Sequence, residues 1–247
     1  MGSTPLMDYQ TSKVLAVSNL SYNYGKQLVW EQVNFSLNPG DVCLLVGQNG
    51  SGKSTLMRCL AGLDTPASGT IHVSGKLLVG TARDLRAELS FVSDTPPFYA
   101  DMTAEEHIDF VLKANRRVND HECAHWLATA FGLHEHLQRY PSTYSRGMRH
   151  KLAVVIALMV KPRLLLLDEA FAFLDQKTAL LLSNQLASFA QEGASILLSC
   201  HQRIPLSCAN RALQISEKSI KLINKDALEG LFNLNEQEHF GAPASID

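Results

Sequence analysis

The sequence has no run near the ~18 consecutive apolar residues that a membrane span requires, so any membrane role would need a partner. Its opening segment, MGSTPLMDYQTSK, lacks the apolar core of a signal peptide, and Gly2 is not a convincing lipidation site. An excess of one charge is also missing. With 22 Lys and Arg against 24 Asp and Glu, the formal net charge is −2, which gives no support for a basic nucleic-acid-binding surface. The five cysteines (Cys43, Cys59, Cys123, Cys200 and Cys208) form no C-x-x-C pair and no zinc spacing. Cys43 and Cys200 sit in apolar runs, where a buried thiol is the ordinary explanation. An odd number without a framework suits a reducing cytosol. There is no internal repeat and no low-complexity linker. What is there is a chain of 247 residues, enough for a full core as one large α/β domain or one domain with a sizeable insertion.

The most informative stretch is Gly47 to Thr55, GQNGSGKST, between the apolar run Val42 to Val46 and the helix-like run Leu56 to Ala61. It fits G-x-x-x-x-G-K-[ST], the phosphate-binding P-loop, in the strand-loop-helix context the motif requires. Gly50 and Gly52 permit backbone conformations that residues with a Cβ avoid. Consecutive N–H groups from Gly47, Gln48, Asn49, Gly50, Ser51 and Gly52 can then turn inward around phosphates. The following helix adds the positive end of its dipole. Lys53 can reach the β- and γ-phosphates, and the Ser54 hydroxyl can ligate Mg²⁺. The bland alternative is a glycine-rich turn, but the matched flanks favour a nucleoside triphosphate site.

Strands are expected at residues 13–20 and 28–37, the second with period-2 alternation at Val29, Glu31, Val33 and Phe35. Further strands are expected at 70–73 and 89–93. From Thr103 to about Val160 the pattern becomes helical. Thr103 and Glu106 form a capping box, a second helix begins at Asn119 or Asp120, and a third runs from near Gly147 until Pro162. This block, about residues 95–160, reads as an insertion in the α/β body. Beyond it come strands at 164–167 and 195–199, a helix at about 176–191, short strands at 211–216 and 218–223, and a small helix near 225–232. The domain spans 13–235, with flexible termini at 1–12 and 236–247.

The apolar run Leu164 to Leu167 ends in Asp168-Glu169. A strand delivering an aspartate there can position Mg²⁺ through Asp168, while Glu169 can orient or deprotonate an attacking water. Standing alone, the pair could also be surface acids after a core strand. His201 follows the next apolar strand. In a parallel sheet the strand ends gather along one edge, which places His201 near the P-loop, either as a γ-phosphate donor or as a structural histidine.

Taken in order, these motifs resemble the nucleotide-binding subunit of ABC (ATP-binding cassette) transporters over roughly residues 13–225. Tyr24, in SYNYGK, stands where the family places an aromatic that stacks on adenine. YSRGM, Tyr144 to Met148, stands at the signature position, Leu174-Asp175 matches the D-loop, and His201 the switch histidine. The resemblance implies an α/β P-loop NTPase core with a mainly parallel sheet, an N-terminal antiparallel β subdomain and an inserted helical subdomain. It implies ATP and Mg²⁺ as ligands, and an ATPase acting on the cytoplasmic face of a membrane through a separate integral membrane subunit. It also implies a head-to-tail homodimer or paired ATPase subunit, in which Ser145 and Gly147 close onto the partner's ATP. Glu169 is then the base, Lys53 stabilises charge, and Ser54 and Asp168 hold the metal.

The departures matter as well. Asp94 replaces the family's Q-loop glutamine, either as a functional replacement that can ligate Mg²⁺ or as a turn residue. Arg146 and Met148 replace a glycine and a glutamine of the usual LSGGQ, and Arg146 could pair with phosphate or face solvent. YSRGMRHK resembles export-type systems whose membrane subunits are separate chains. Two rival readings are a non-transport ABC ATPase working as an assembly or regulatory switch, and a degenerate binding-only subunit.

Overall fold

The computed structural model describes residues 13–79, 85, 88–117, 120–199, 209–216 and 218–224. Two sheets enclose one helix. Strands β1 (Leu15–Tyr24), β2 (Gln27–Leu37), β4 (Ser68–Val73) and β5 (Lys76–Leu77) form an antiparallel sheet in the order β2-β1-β4-β5. Strands β3 (Val42–Val46), β6 (Leu89–Val92), β7 (Leu164–Asp168), β8 (Ser195–Ser199), β9 (Arg211–Ser216) and β10 (Ser219–Asn224) form the second, in the order β10-β9-β3-β8-β7-β6. All its pairings are parallel except that of β9 with edge strand β10. The expected class, a mainly parallel core with an antiparallel subdomain, is the observed one.

The parallel strands are unbroken apolar runs because both of their faces are covered. Side chains alternate along a strand, and the two cores divide them accordingly. Val42, Leu44, Leu165, Leu167, Ile196 and Leu198 face the helices of the insertion and α5 (Gln176–Gln191). Cys43, Leu45, Leu164, Leu166 and Leu197 face the opposite core, with Leu56, Met57 and Leu60 of α1 (Lys53–Leu60) and Trp30 of the antiparallel sheet. The helix carrying the P-loop is thereby held between two sheets. Burial pushes the Cys59 thiol up to about 12, with Asp64 adding to the shift, and pushes Cys43 higher still. Both are inert core thiols.

The alternation expected along β2 fails at Glu31. Val33, Phe35 and Leu37 are buried, but the register against β1 then shifts, so that Trp30 turns inward and Glu31 is exposed. The cause is a pair of bulges: Ser18 and Asn19 (φ +49°) lie opposite Asn34, and Glu31 and Gln32 (φ +50°) lie opposite Ser21. Side chains satisfy the displaced backbone: Gln32 N–H donates to Ser21 Oγ (3.0 Å) and Asn19 N–H to Asn34 Oδ1 (2.9 Å).

The insertion contains α2 (Ala104–Ala114), α3 (His121–Ala130) and α4 (Arg146–Met159). The capping box at α2 forms in full. Glu106 N–H donates to Thr103 Oγ1 (3.2 Å), and Thr103 N–H donates to Glu106 Oε2 (2.7 Å). Ser145 caps α4 by accepting from Met148 N–H at 3.2 Å. The small helix expected near 225–232 lies outside the described residues. Among the described residues, no helix is long and apolar enough to cross a membrane.

Candidate nucleotide site

The P-loop leaves the C-terminal end of β3 and enters α1 at Lys53. Gly52 is left-handed (φ +98°), and a Cβ there would lie 2.6 Å from Val29 Cγ1 and 3.0 Å from Trp30 Nε1. It therefore needs glycine for its dihedral and for the close passage of the antiparallel sheet. Gly47 is fixed by approach instead, since its Cβ would sit 2.9 Å from the Ile215 carbonyl on β9. Lys53 is almost fully buried, and its ammonium donates to the carbonyls of Gly47 (2.8 Å) and Gln48 (3.1 Å). Its charge is thus aimed into the loop that precedes it.

An open cavity of about 520 Å³ lies over this loop. Asn49, Gly50, Gly52, Lys53, Ser54 and Thr55 form its floor, and Tyr24, Asp94, Glu169 and Phe173 its sides. Tyr24 is exposed, with its hydroxyl 3.3 Å from Thr55 Oγ1 and its ring edge-to-face with Tyr22 at 5.1 Å. The ring is held beside the cavity with a surface open for stacking.

Asp168 ends β7 beneath the cavity wall, only 3% exposed. Ser199, at the end of β8, joins it to its neighbour. The Ser199 hydroxyl donates to Asp168 Oδ1 at 2.6 Å and accepts from Glu169 N–H at 3.0 Å. Glu169 itself has φ +55°, a left-handed conformation costly for a residue with a Cβ. Ser199 is a site residue that the sequence reading did not single out. Its signal was positional, as the last residue of SILLS beside the Asp-Glu strand.

Asp94 lines the cavity, but its carboxylate Oδ1 accepts from the Arg146 guanidinium at 3.2 Å. That guanidinium also lies 3.9 Å from the centre of the Phe173 ring, a cation–π contact. The fully buried His150, one turn along α4, bonds through Nε2 to the Asp94 carbonyl and packs 5.0 Å from Phe173. Arg146 is largely open to solvent, one of its two expected roles, while its guanidinium also makes these contacts. It ties the start of α4 to the loop after β6. Ser145 and Gly147, on the same helix start, do not line the cavity. Asp175 caps α5 through Thr178 N–H (2.8 Å) and holds Lys151 of α4 at 2.9 Å. These contacts, led by the bond from Thr178, hold its carboxyl well below the usual range. His201 lies outside the described residues.

The residues present fit a nucleoside triphosphate with magnesium. Ser51 Oγ is buried without a hydrogen-bond partner among the described residues, at the centre of a loop that curls around a buried ammonium. The hydroxyl of Ser54 and the carboxylates of Asp168 and Asp94 are hard oxygen donors suited to Mg²⁺.

Comparison with known proteins leads to the same place. Residues 30–172 match the family described as ABC transporter. The chain is 29% identical over 191 residues to the ABC-type transporter ATP-binding protein EcsA of Bacillus subtilis, covering 76% of this chain and 77% of that one. Against the lantibiotic transport ATP-binding protein SrtF of Streptococcus pyogenes it is 33% identical, covering 76% and 80%. A sulfate/thiosulfate import ATP-binding protein, CysA of Bradyrhizobium diazoefficiens, is 34% identical over 85% of this chain and 63% of its own length. A solved ATP-binding subunit of an ABC transporter superposes with a TM-score of 0.82 at 28% identity, over 92% of this chain and 98% of that one. With the P-loop, the Asp-Glu strand and the capped helix α4 in one architecture, this chain belongs to the ABC transporter family as an ATP-binding, ATP-hydrolysing subunit.

Proposed function

We propose that this subunit closes head to tail on ATP, with a second copy or a related subunit, and drives a separate integral membrane subunit on the cytoplasmic face, in the direction of export. One observation carries the reading: Ser145 and Gly147, at the start of α4, do not line the cavity that the P-loop floors, although Arg146 between them touches its walls at Asp94 and Phe173. Ser145 caps an exposed helix start outside the pocket that Lys53 and Glu169 line. A helix N-terminus bearing Ser and Gly suits an anion, so the arrangement supplies two half-sites that a head-to-tail pair would complete. In that pair Tyr24 stacks on the base, Lys53 and the loop amides bind the phosphates, and Ser54 and Asp168 hold Mg²⁺, which supplies charge neutralisation when bound. Glu169 takes the proton of the attacking water, and His201 contacts the γ-phosphate.

A membrane partner is supported by the exposed aromatics beside the Asp94 loop. Tyr99 and Phe110, 58% and 48% exposed, meet edge-to-face at 5.8 Å. His107 braces them, with Nδ1–H donating to the Thr103 carbonyl (2.7 Å) and Nε2 accepting from Tyr99 N–H (2.9 Å). The export direction rests on the resemblance of YSRGMRHK to export-type signatures, while relatives include an import protein by name.

The test is Glu169→Gln in the purified chain. ATP should convert it to a stable dimer by size-exclusion chromatography, with hydrolysis reduced by about 10²–10⁴-fold. Wild-type turnover, or a monomer at saturating ATP, sinks the proposal. Co-purification with a multi-spanning membrane protein, and ATP-driven uptake into inside-out vesicles, then test the partner and the direction.

A further inference from the structure

We propose that the helical insertion carries a binding site for a borderline divalent transition metal such as Zn²⁺, formed by Glu105, His121 and His125. The three residues come from two helices. Glu105 and Asp109 stand four apart on α2, and His121 and His125 stand four apart on α3. Each spacing places its pair on one helix face, and here the two faces meet. One ligand atom from each of Glu105, His121 and His125 lies within 4.8 Å of the other two. His125 Nε2 and Glu105 Oε1 are already 2.8 Å apart. Four-coordinate zinc with imidazole and carboxylate donors at about 2.0–2.1 Å needs donors roughly 3.3 Å from one another. Small rotations of side chains that remain partly exposed supply that spacing.

Two further observations point to a ligand rather than to simple ion pairs. Glu105 Oε2 is buried and has no hydrogen-bond partner among the described residues. A second carboxylate oxygen without a partner is costly to keep from water, and a cation shared with the histidines would use it. Asp109 Oδ1 lies 3.4 Å from His121 Nδ1. Asp109 thus sets a second carboxylate beside the His121 imidazole, and its negative charge favours a cation bound there. Two imidazoles and one carboxylate favour zinc, nickel, cobalt or copper over calcium or magnesium, which prefer oxygen alone. The cluster is on α2 and α3, and neither Glu105 nor the two histidines line the nucleotide cavity. Bound metal would staple these two helices together. The inference does not depend on how the ATP site works.

The experiment is competition of the tag-free full-length chain against a chromophoric zinc indicator, with no nucleotide present. One zinc per chain is expected. His121→Ala combined with His125→Ala should weaken that site by at least about 100-fold, and Asp109→Asn, which removes only a nearby charge, by about fivefold. Cobalt loaded in place of zinc should give visible d–d bands without thiolate charge-transfer absorption, which separates this site from the cysteines. Zinc should also raise the melting temperature of the wild type and not of the double variant. Both histidines are partly exposed, so the variant should fold, and circular dichroism checks that it does. No zinc binding by the wild type, binding unchanged in the folded double variant, or a thiolate cobalt spectrum overturns the proposal.

Discussion

The two edges of the parallel sheet use buried aspartates in opposite ways. At the N-terminal edge, Asp41 precedes β3, accepts from Asn38 N–H at 2.6 Å and pairs with Arg211 at 3.2 Å. Around it, Asn210 accepts from Val42 N–H (3.0 Å), and Ser195 donates to the Asn38 carbonyl (2.7 Å). The polar groups here are answered by one another. At the C-terminal edge Asp168 is as deeply buried, but its surroundings open onto a cavity and include a positive-φ glutamate, a buried lysine and a serine hydroxyl without a partner among the described residues. The first edge holds the strands in register. The second edge keeps polar groups in place at a cost in stability, as expected where a ligand completes them.

Substitutions at the two edges should therefore separate turnover from stability. Lys53→Ala should lower ATP hydrolysis by about 10²–10³-fold, the scale of losing one preorganised charge contact, with thermal stability little changed. An equal loss of stability and turnover would erase the contrast. Asp41→Ala should do the reverse, lowering stability by about 2–3 kcal/mol in chemical denaturation because Arg211 loses its partner. Its turnover below the melting transition should stay near wild type. Ser199→Ala falls between these cases. Removing the hydroxyl that holds Asp168 and the Glu169 amide should lower kcat about tenfold and cost about 1 kcal/mol, measured on the same preparation. The smallest expected effect is acid sensitivity at Asp175. Because its carboxyl is held below the usual range, it contributes stability that is present above its unfolded value near pH 4. That contribution is lost as pH falls through the lower folded value. Asp175→Asn should flatten this part of the pH–stability profile. Asp175 is exposed to solvent, so the change should be slight.

Much of the second edge could be read in the chain because its chemistry is sequential. Gly47 to Thr55 and the pair Asp168-Glu169 each lie in one short run, and strand and helix flanks fix their direction. The capping box at Thr103 was legible for the same reason, since its two bonds lie within one turn. What could not be read depends on residues distant in the chain. Ser199 matters only because β8 pairs with β7 and brings its hydroxyl to Asp168. Arg146 meets Asp94 across 52 positions, so no local pattern predicts the pair. The bulge at Gln32 defeated a simple alternation because one inserted residue moves the following side chains to the other face. The cluster on α2 and α3 escaped for a similar reason, as two ordinary polar helix faces become a site only when they meet.

The left-handed backbone of Glu169 sets selection for durability against selection for turnover. The residue proposed as the base is also one that the backbone would rather exchange for glycine. Glu169→Gly would relieve a strain of about 1 kcal/mol, partly offset by the greater freedom of glycine in the unfolded chain, while removing the carboxylate. A raised melting temperature together with abolished hydrolysis is the expected outcome. A glutamate persisting at this position in descendants of the protein would then report continued use of the chemistry, because the backbone conformation by itself favours glycine.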